Sequence, residues 1–169
     1  MRDTRKQSFD YALSDEGSGL YTYRSEIRRY GIKPSVVAVH LGECLWSDIR
    51  ELDEGAARSL YDLVYWQHAG CLDLSRGLDY FVFDTGLVFE PATAFRWIEQ
   101  ITGELGRRAA EALNDLGIEA ALRGVEFYRR RRLRVDPLWP VLGVEWSNRC
   151  NRAKTRALKM ANAKVLETA

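Results

Sequence analysis

The chain of 169 residues is 46% hydrophobic and 29% charged with a net charge of +1, which excludes a disordered polymer and fits a single globular domain with a substantial core. No apolar run approaches the length of a membrane span. Three scattered cysteines (Cys44, Cys71, Cys150) exclude a disulfide framework and a C-x-x-C metal site.

Phe9 to Gly17 opens the patterned part of the chain. Phe9, Ala12 and Leu13 follow helical spacing, and the helix runs into an acidic turn, Ser14-Asp15-Glu16-Gly17. A carboxyl held at a helix end against an apolar wall stays protonated near neutral pH and can donate its proton. The segment from Gly17 to Pro34 alternates glycines with Tyr21, Tyr23 and Tyr30, which predicts a surface turn or short hairpin. Ser35 to Leu41 is β-branched and fits either strand or helix; the helical character of the remainder favours helix. Asp53 has the chemistry of an N-cap, and Ala56, Ala57, Leu60, Tyr61, Val64 and Tyr65 follow at helical spacing, so Asp53 to Gln67 reads as a helix stopped by Gly70. Leu78 to Phe89 is apolar nearly all round, the mark of a central buried helix, with Asp84 inside it in need of a partner. Pro91 opens a helix that carries Trp97 and ends at Gly103. Further helices are expected at Leu105 to Leu116, Ile118 to Leu133 and Pro137 to Val165.

The small net charge conceals a polarity. Residues 1–120 hold 13 Lys and Arg against 20 Asp and Glu, whereas residues 121–169 hold 12 against 4. The densest run is Arg129-Arg130-Arg131-Arg132, with Arg134 close by. Such a cluster either binds an anionic polymer through its field or pairs with the acidic body of the same chain. No zinc finger or RNA-binding motif accompanies it, so specific nucleic-acid recognition is not expected. The cysteines read as partly buried apolar residues. His40 and His68 read as isolated, with no i, i+4 ligand pair, so neither a metal nor a cofactor is expected. No apolar stretch of signal-peptide type follows the basic start, which predicts synthesis in the cytoplasm. With no repeats or linkers, the expected architecture is all-α: one domain over residues 1–169, a small hairpin near 17–34 and a basic C-terminal segment from about 121.

Four stretches together resemble the lysozyme-like N-acetylmuramidases of phage endolysins and secretion-activator proteins, glycoside hydrolase family 108. They are Asp15-Glu16-Gly17 after an amphipathic helix; Tyr30-Gly31-Ile32; Asp48-Ile49-Arg50-Glu51-Leu52 leading to Ala57, Tyr61, Tyr65 and Trp66; and Phe83-Asp84 followed by Ala94 and the Trp97-Ile98 helix. Tyr128 and Trp146-Ser147-Asn148-Arg149 are similar to the family's closing Tyr and Gly-Trp-x-x-Arg. The chain departs from the family pattern between Glu16 and Gly31. Where the family has Asp-x-Gly-Gly-x-Thr, the matching places hold Tyr23, Ser25, Glu26 and Arg28. Val88 and Glu90 stand for an Asn and a Gly of the central helix.

The resemblance implies a lysozyme-like fold and cleavage of the β-1,4 bond of peptidoglycan, with Glu16 as general acid. Such cleavage needs a carboxylate or a positioned water on the opposite face of the sugar, for which Glu26 and Asp84 are the candidates. Asp84 also reads as a buried hydrogen-bonding group between helices. Tyr21, Tyr23, Tyr30 and Trp66 are candidate sugar-stacking residues, with Trp97 assigned to the core. Arg129, Arg130, Arg131 and Arg132 are candidates for anionic wall polymer. The implied place of action is the bacterial cell wall, reached by holin-type release, by secretion or as a virion component. Two alternatives accompany this expectation. The lost Asp, Gly, Gly and Thr fit a descendant of the fold that binds peptidoglycan, or serves a structural role, without cleaving it. The arginine run fits a helical DNA-associated protein.

Overall fold

The computed structural model describes residues 4–23 and 25–163. It is helical with one two-stranded sheet, in the order α1 (Arg5–Glu16), β1 (Leu20–Tyr23), β2 (Glu26–Arg29), α2 (Pro34–Leu41), α3 (Trp46–Glu51), α4 (Glu54–Leu60), α5 (Leu78–Phe89), α6 (Pro91–Thr102), α7 (Arg107–Asp115), α8 (Ile118–Arg134) and α9 (Trp139–Asn162). The expected hairpin is β1–β2, antiparallel, with Leu20 opposite Arg29, Tyr21 opposite Arg28 and Tyr23 opposite Glu26. Ser25, at one of the family's glycine positions, keeps the left-handed backbone (φ +65°) that a glycine would adopt there freely. The predicted end of the last helix, Val165, lies outside the described residues.

α5 is the central element. Every residue from Leu78 to Leu87 is buried, and α1, α6, α8 and α9 all pack on it. Its first turn is capped by its own Asp79, whose Oδ1 accepts from the backbone of Gly77 (2.8 Å) and Tyr80 (2.6 Å) while Thr4 donates its hydroxyl to Oδ2. Burial nonetheless holds the Asp79 pKa above the ordinary carboxylate value.

The helix expected from Asp53 to Gln67 is interrupted. Asp53 does cap its start, accepting from Ala56 N at 2.7 Å. After Leu60, however, the chain winds one residue wider, as a π-turn over Tyr61–Trp66. Tyr61, Val64, Tyr65 and Trp66 are all buried in consequence, more than one face of a regular α-helix could direct inward over so short a span. Trp66, expected to stack on sugar, instead packs between Phe9 (5.8 Å) and Phe83 (5.6 Å) in the core. The histidines are not isolated either. α2 packs on the π-turn, and the rings of His40 and His68 lie 3.7 Å apart, with burial and the neighbouring His68 pushing the His40 pKa down. Cys71 and Cys150 are buried, Cys44 is half-buried, and all three are free thiols.

The tightest contact between helices falls at Gly77, just before α5. With φ +89°, a Cβ there would lie 2.2 Å from the Ala157 carbonyl oxygen on α9. Neither backbone can yield without separating the two helices. Gly77→Ala is therefore expected to destabilise the fold by about 2 kcal/mol or more, measured as a lowered denaturation midpoint in urea.

Candidate active site

Glu16 is the last residue of α1 and sits at the floor of an open groove of about 740 Å³. One wall is the hairpin, with Tyr21, Tyr23, Glu26 and Arg28. The other comes from the end of α5, the start of α6 and α9, including Phe89, Trp146 and Arg149. A carboxylate at a helix C-terminus faces the negative end of the helix dipole and needs compensation. Here it comes from α9. Arg149, Arg152 and Arg156 share one face at i, i+3 and i+7 spacing, and Arg149 pairs with Glu16 while Arg156 and, more distantly, Arg152 pair with Asp15.

Both oxygens of Glu16 are engaged. Arg149 Nη1 donates to Oε1, and the Tyr21 hydroxyl donates to Oε2 at 2.7 Å. Burial, reinforced by Glu16, pushes the Tyr21 pKa up, so its hydroxyl stays a donor. Gly31 fixes the carboxyl from behind. It has φ +72°, and a Cβ there would fall 2.6 Å from Glu16 Cδ, so only glycine admits this approach. The Tyr30–Lys33 stretch that carries Gly31 is held by the π-turn. Tyr61 donates its hydroxyl to the Tyr30 carbonyl at 2.6 Å, and Lys33 N donates to the Tyr65 hydroxyl at 3.1 Å.

Below the groove lies Asp84. Its Oδ1 accepts from Arg149 Nη2 at 2.9 Å and its Oδ2 from Arg129 Nη1 at 2.5 Å. Burial opposes the Asp84 charge, but Arg149 and Arg129 outweigh it and hold the carboxyl down at about 2. Burial likewise opposes the Arg149 charge, and Asp84 and Glu16 outweigh it, so its pKa stands well above the ordinary arginine value. Glu16, Arg149, Asp84 and Arg129 thus form a charge-balanced chain running from the groove into the core.

Of the expected site residues, Glu16, Glu26, Tyr21 and Tyr23 line the groove. Glu26 accepts from the Ser35 hydroxyl and lies 3.6 Å from Arg28. Tyr23 donates to Asp136 at 3.3 Å and meets Trp146 edge-on. Three expected residues are not at the groove surface. Trp66 is in the core, as described. Tyr30 is buried, committed through its carbonyl to Tyr61. Asp84 is 1% exposed and locked between two guanidiniums, so it contacts no substrate. The arginine run is also corrected: Arg129 is 1% exposed because it neutralises Asp84, and Arg130 is turned to Glu126 and Asn151. In the sequence, Arg149 stands out only through its resemblance to the family's closing Gly-Trp-x-x-Arg. Its role is invisible in local spacing because its partner Glu16 is 133 residues away. The i, i+3, i+7 arginines opposite Asp15-Glu16 are the signal that could have found it.

Residues 14–89 match the family profile Glycosyl hydrolase 108, spanning α1's acidic end, the hairpin, the π-turn and all of α5. This stretch of the chain is similar to glycosyl hydrolase family 108. The chain shares its fold with the solved structure of Brucella abortus SagA, at TM-score 0.82 and 20% identity over 94% of this chain and 95% of that one. No curated protein matches it in sequence. The architecture is accordingly the all-α lysozyme-like one, and among the described residues no helix is long and apolar enough to cross a membrane.

The buried chain of charges makes stability depend on acid. The folded Asp84 carboxyl titrates at about 2, below its ordinary value near ~3.9. Its contribution is therefore complete above pH ~4 and is lost as pH falls from ~4 towards ~2. Asp84→Asn, which leaves the buried Arg129 without its counter-charge and Arg149 with Glu16 alone, is expected to cost about 3 kcal/mol near neutral pH. Urea denaturation from pH 2 to pH 6 should show the gap between wild type and variant closing at the acid end.

Proposed function

We propose that this protein is a family 108 peptidoglycan hydrolase of muramidase type, cleaving the β-1,4 glycosidic bond with Glu16 as general acid and acting at the bacterial cell wall. The observation that carries this reading is the placement of the Glu16 carboxyl on the floor of an open groove, aimed by Tyr21, Arg149 and the close approach of Gly31. Donating a proton to the glycosidic oxygen leaves a carboxylate. The Arg149 and Tyr21 donors already point at its two oxygens, so that charge is stabilised without reorganisation. Glu26, from the hairpin wall, is the carboxylate proposed to orient the attacking water. Tyr21, Tyr23 and Trp146 offer aromatic faces and polar edges along the groove for sugar rings. Arg131 and Arg132, exposed at the end of α8, are the part of the arginine run available to anionic wall polymer.

A second reading, a peptidoglycan-binding protein without turnover, is favoured by one observation. Both Glu16 oxygens are already occupied, in a hairpin where Tyr23 and Arg28 stand for the family's Asp and Thr.

Clearing of a purified peptidoglycan suspension separates the two. The muramidase reading expects clearing by the wild type with reducing ends released, and a rate lower by about 10²-fold or more in Glu16→Gln. Co-sedimentation with peptidoglycan at full strength, with no clearing by either form, would establish the binder instead.

A further inference from the structure

The hairpin wall carries a cation that the mechanism above does not use. Arg28 is 8% exposed and lines the groove, yet its Nε has no hydrogen-bond partner among the described residues. The carboxylate it faces, Glu26, keeps Oε2 3.6 Å from Nη2, beyond hydrogen-bond reach, while its Oε1 accepts from the Ser35 hydroxyl. The guanidinium rests over the Tyr23 ring, 4.6 Å from its centroid, which holds it in place. A nine-tenths-buried guanidinium with an unused donor is costly unless something else completes it.

The other carboxylates of the groove are committed elsewhere. Asp15 pairs with Arg156, Glu16 with Arg149, and Glu145 with Arg152. Glu90 lies 3.9 Å from the buried Lys33, and Asp136 accepts from the Tyr23 hydroxyl and from Leu138 N. Arg132, exposed at the end of α8, lines the groove and has no ion-pair partner among the described residues. Arg28 and Arg132 are thus the groove cations left with unused donors among the described residues, and Arg28 lies on the hairpin strand directly opposite Tyr21, the residue that holds Glu16.

We propose that Arg28, assisted by Arg132, is a carboxylate receptor that makes the groove selective for glycan strands bearing a free carboxylate beside the bond presented to Glu16. Guanidinium is suited to this because it meets a carboxylate through two parallel N–H donors and keeps its charge at all working pH values. Two parts of a wall strand supply that group: the lactyl carboxylate of a muramoyl residue whose stem peptide has been removed, and the side or terminal carboxylates of an attached stem peptide. If the lactyl group is the one read, an amide-cleaving reaction must first strip the peptide.

The inference rests on the groove being the glycan site, and the test separates the two. Affinities are measured by titration calorimetry on the full chain carrying Glu16→Gln, which prevents turnover. The probes are a neutral N-acetylglucosamine tetramer, a muramoyl tetrasaccharide with free lactyl carboxylates, its methyl-amide counterpart, and the stem-peptide-bearing tetrasaccharide. A carboxylate-bearing strand is expected to bind about tenfold tighter than its neutral counterpart, with the difference shrinking as salt is raised. Arg28→Gln should abolish that difference, read as the ratio of charged to neutral affinity within the same variant, and Arg132→Gln, at an exposed position, should reduce it in part. Preference for the free lactyl form or for the peptide-bearing form identifies the source of the carboxylate. Equal binding of charged and neutral strands, or a preference that survives Arg28→Gln, overturns the carboxylate receptor and leaves the groove reading intact. Failure of every saccharide to bind overturns both.

Discussion

The structure turns on Arg149. One guanidinium reaches Glu16 at the end of α1 with one nitrogen and Asp84 in the middle of α5 with another. Without it, two carboxylates would be left with little solvent, and α1 would end on a charge that its own dipole opposes. Arg129 supplies the second positive charge that Asp84 needs, so the four groups balance. Buried ion pairs of this kind are a weak source of stability compared with apolar packing. What they do provide is a single arrangement, because any other leaves a charge stranded. The constraint therefore ties four helices, α1, α5, α8 and α9, to one geometry and fixes the Glu16 carboxyl at the groove.

A second set of contacts reaches the same carboxyl from the opposite side. The π-turn brings Tyr61 and Tyr65 inward together, and their hydroxyls hold the Tyr30–Lys33 stretch by its backbone. That stretch presents Gly31 to Glu16 at a distance no side chain permits. The helical winding around Tyr61 and the position of Glu16 are thus connected through three successive contacts. Wide helical turns often occur where a side chain must be aimed, and here the aim is indirect. The hairpin completes the surroundings, with Tyr21 in contact with Glu16 and Arg28 opposite Tyr21 in register.

Much of this organisation could be read in the chain because the signals are local. The all-round apolar run from Leu78 to Phe89 has few places to go except the centre, and Pro91 and Gly103 bracket the next helix. Glycines among tyrosines marked the hairpin, and Asp84 inside an apolar helix demanded a partner. The partners themselves were not legible, because Arg129 and Arg149 lie far along the chain. Arg129 also sits in a run of like residues, where nothing distinguishes the one that turns inward. Trp66 departs from expectation for a different reason: α-helical spacing does not place it with Tyr61 and Tyr65, whereas one extra residue per turn does. The contact between His40 and His68 likewise depends on how α2 packs and leaves no trace in spacing.

Because the cation opposite Glu16 comes from α9, order of synthesis matters. On the ribosome, the hairpin, the π-turn and the central helix emerge long before Arg149 does. A nascent or prematurely terminated chain lacking α9 has the acidic end of α1 but nothing to anchor it. The groove can acquire its final form only after α9 has been synthesised and has docked.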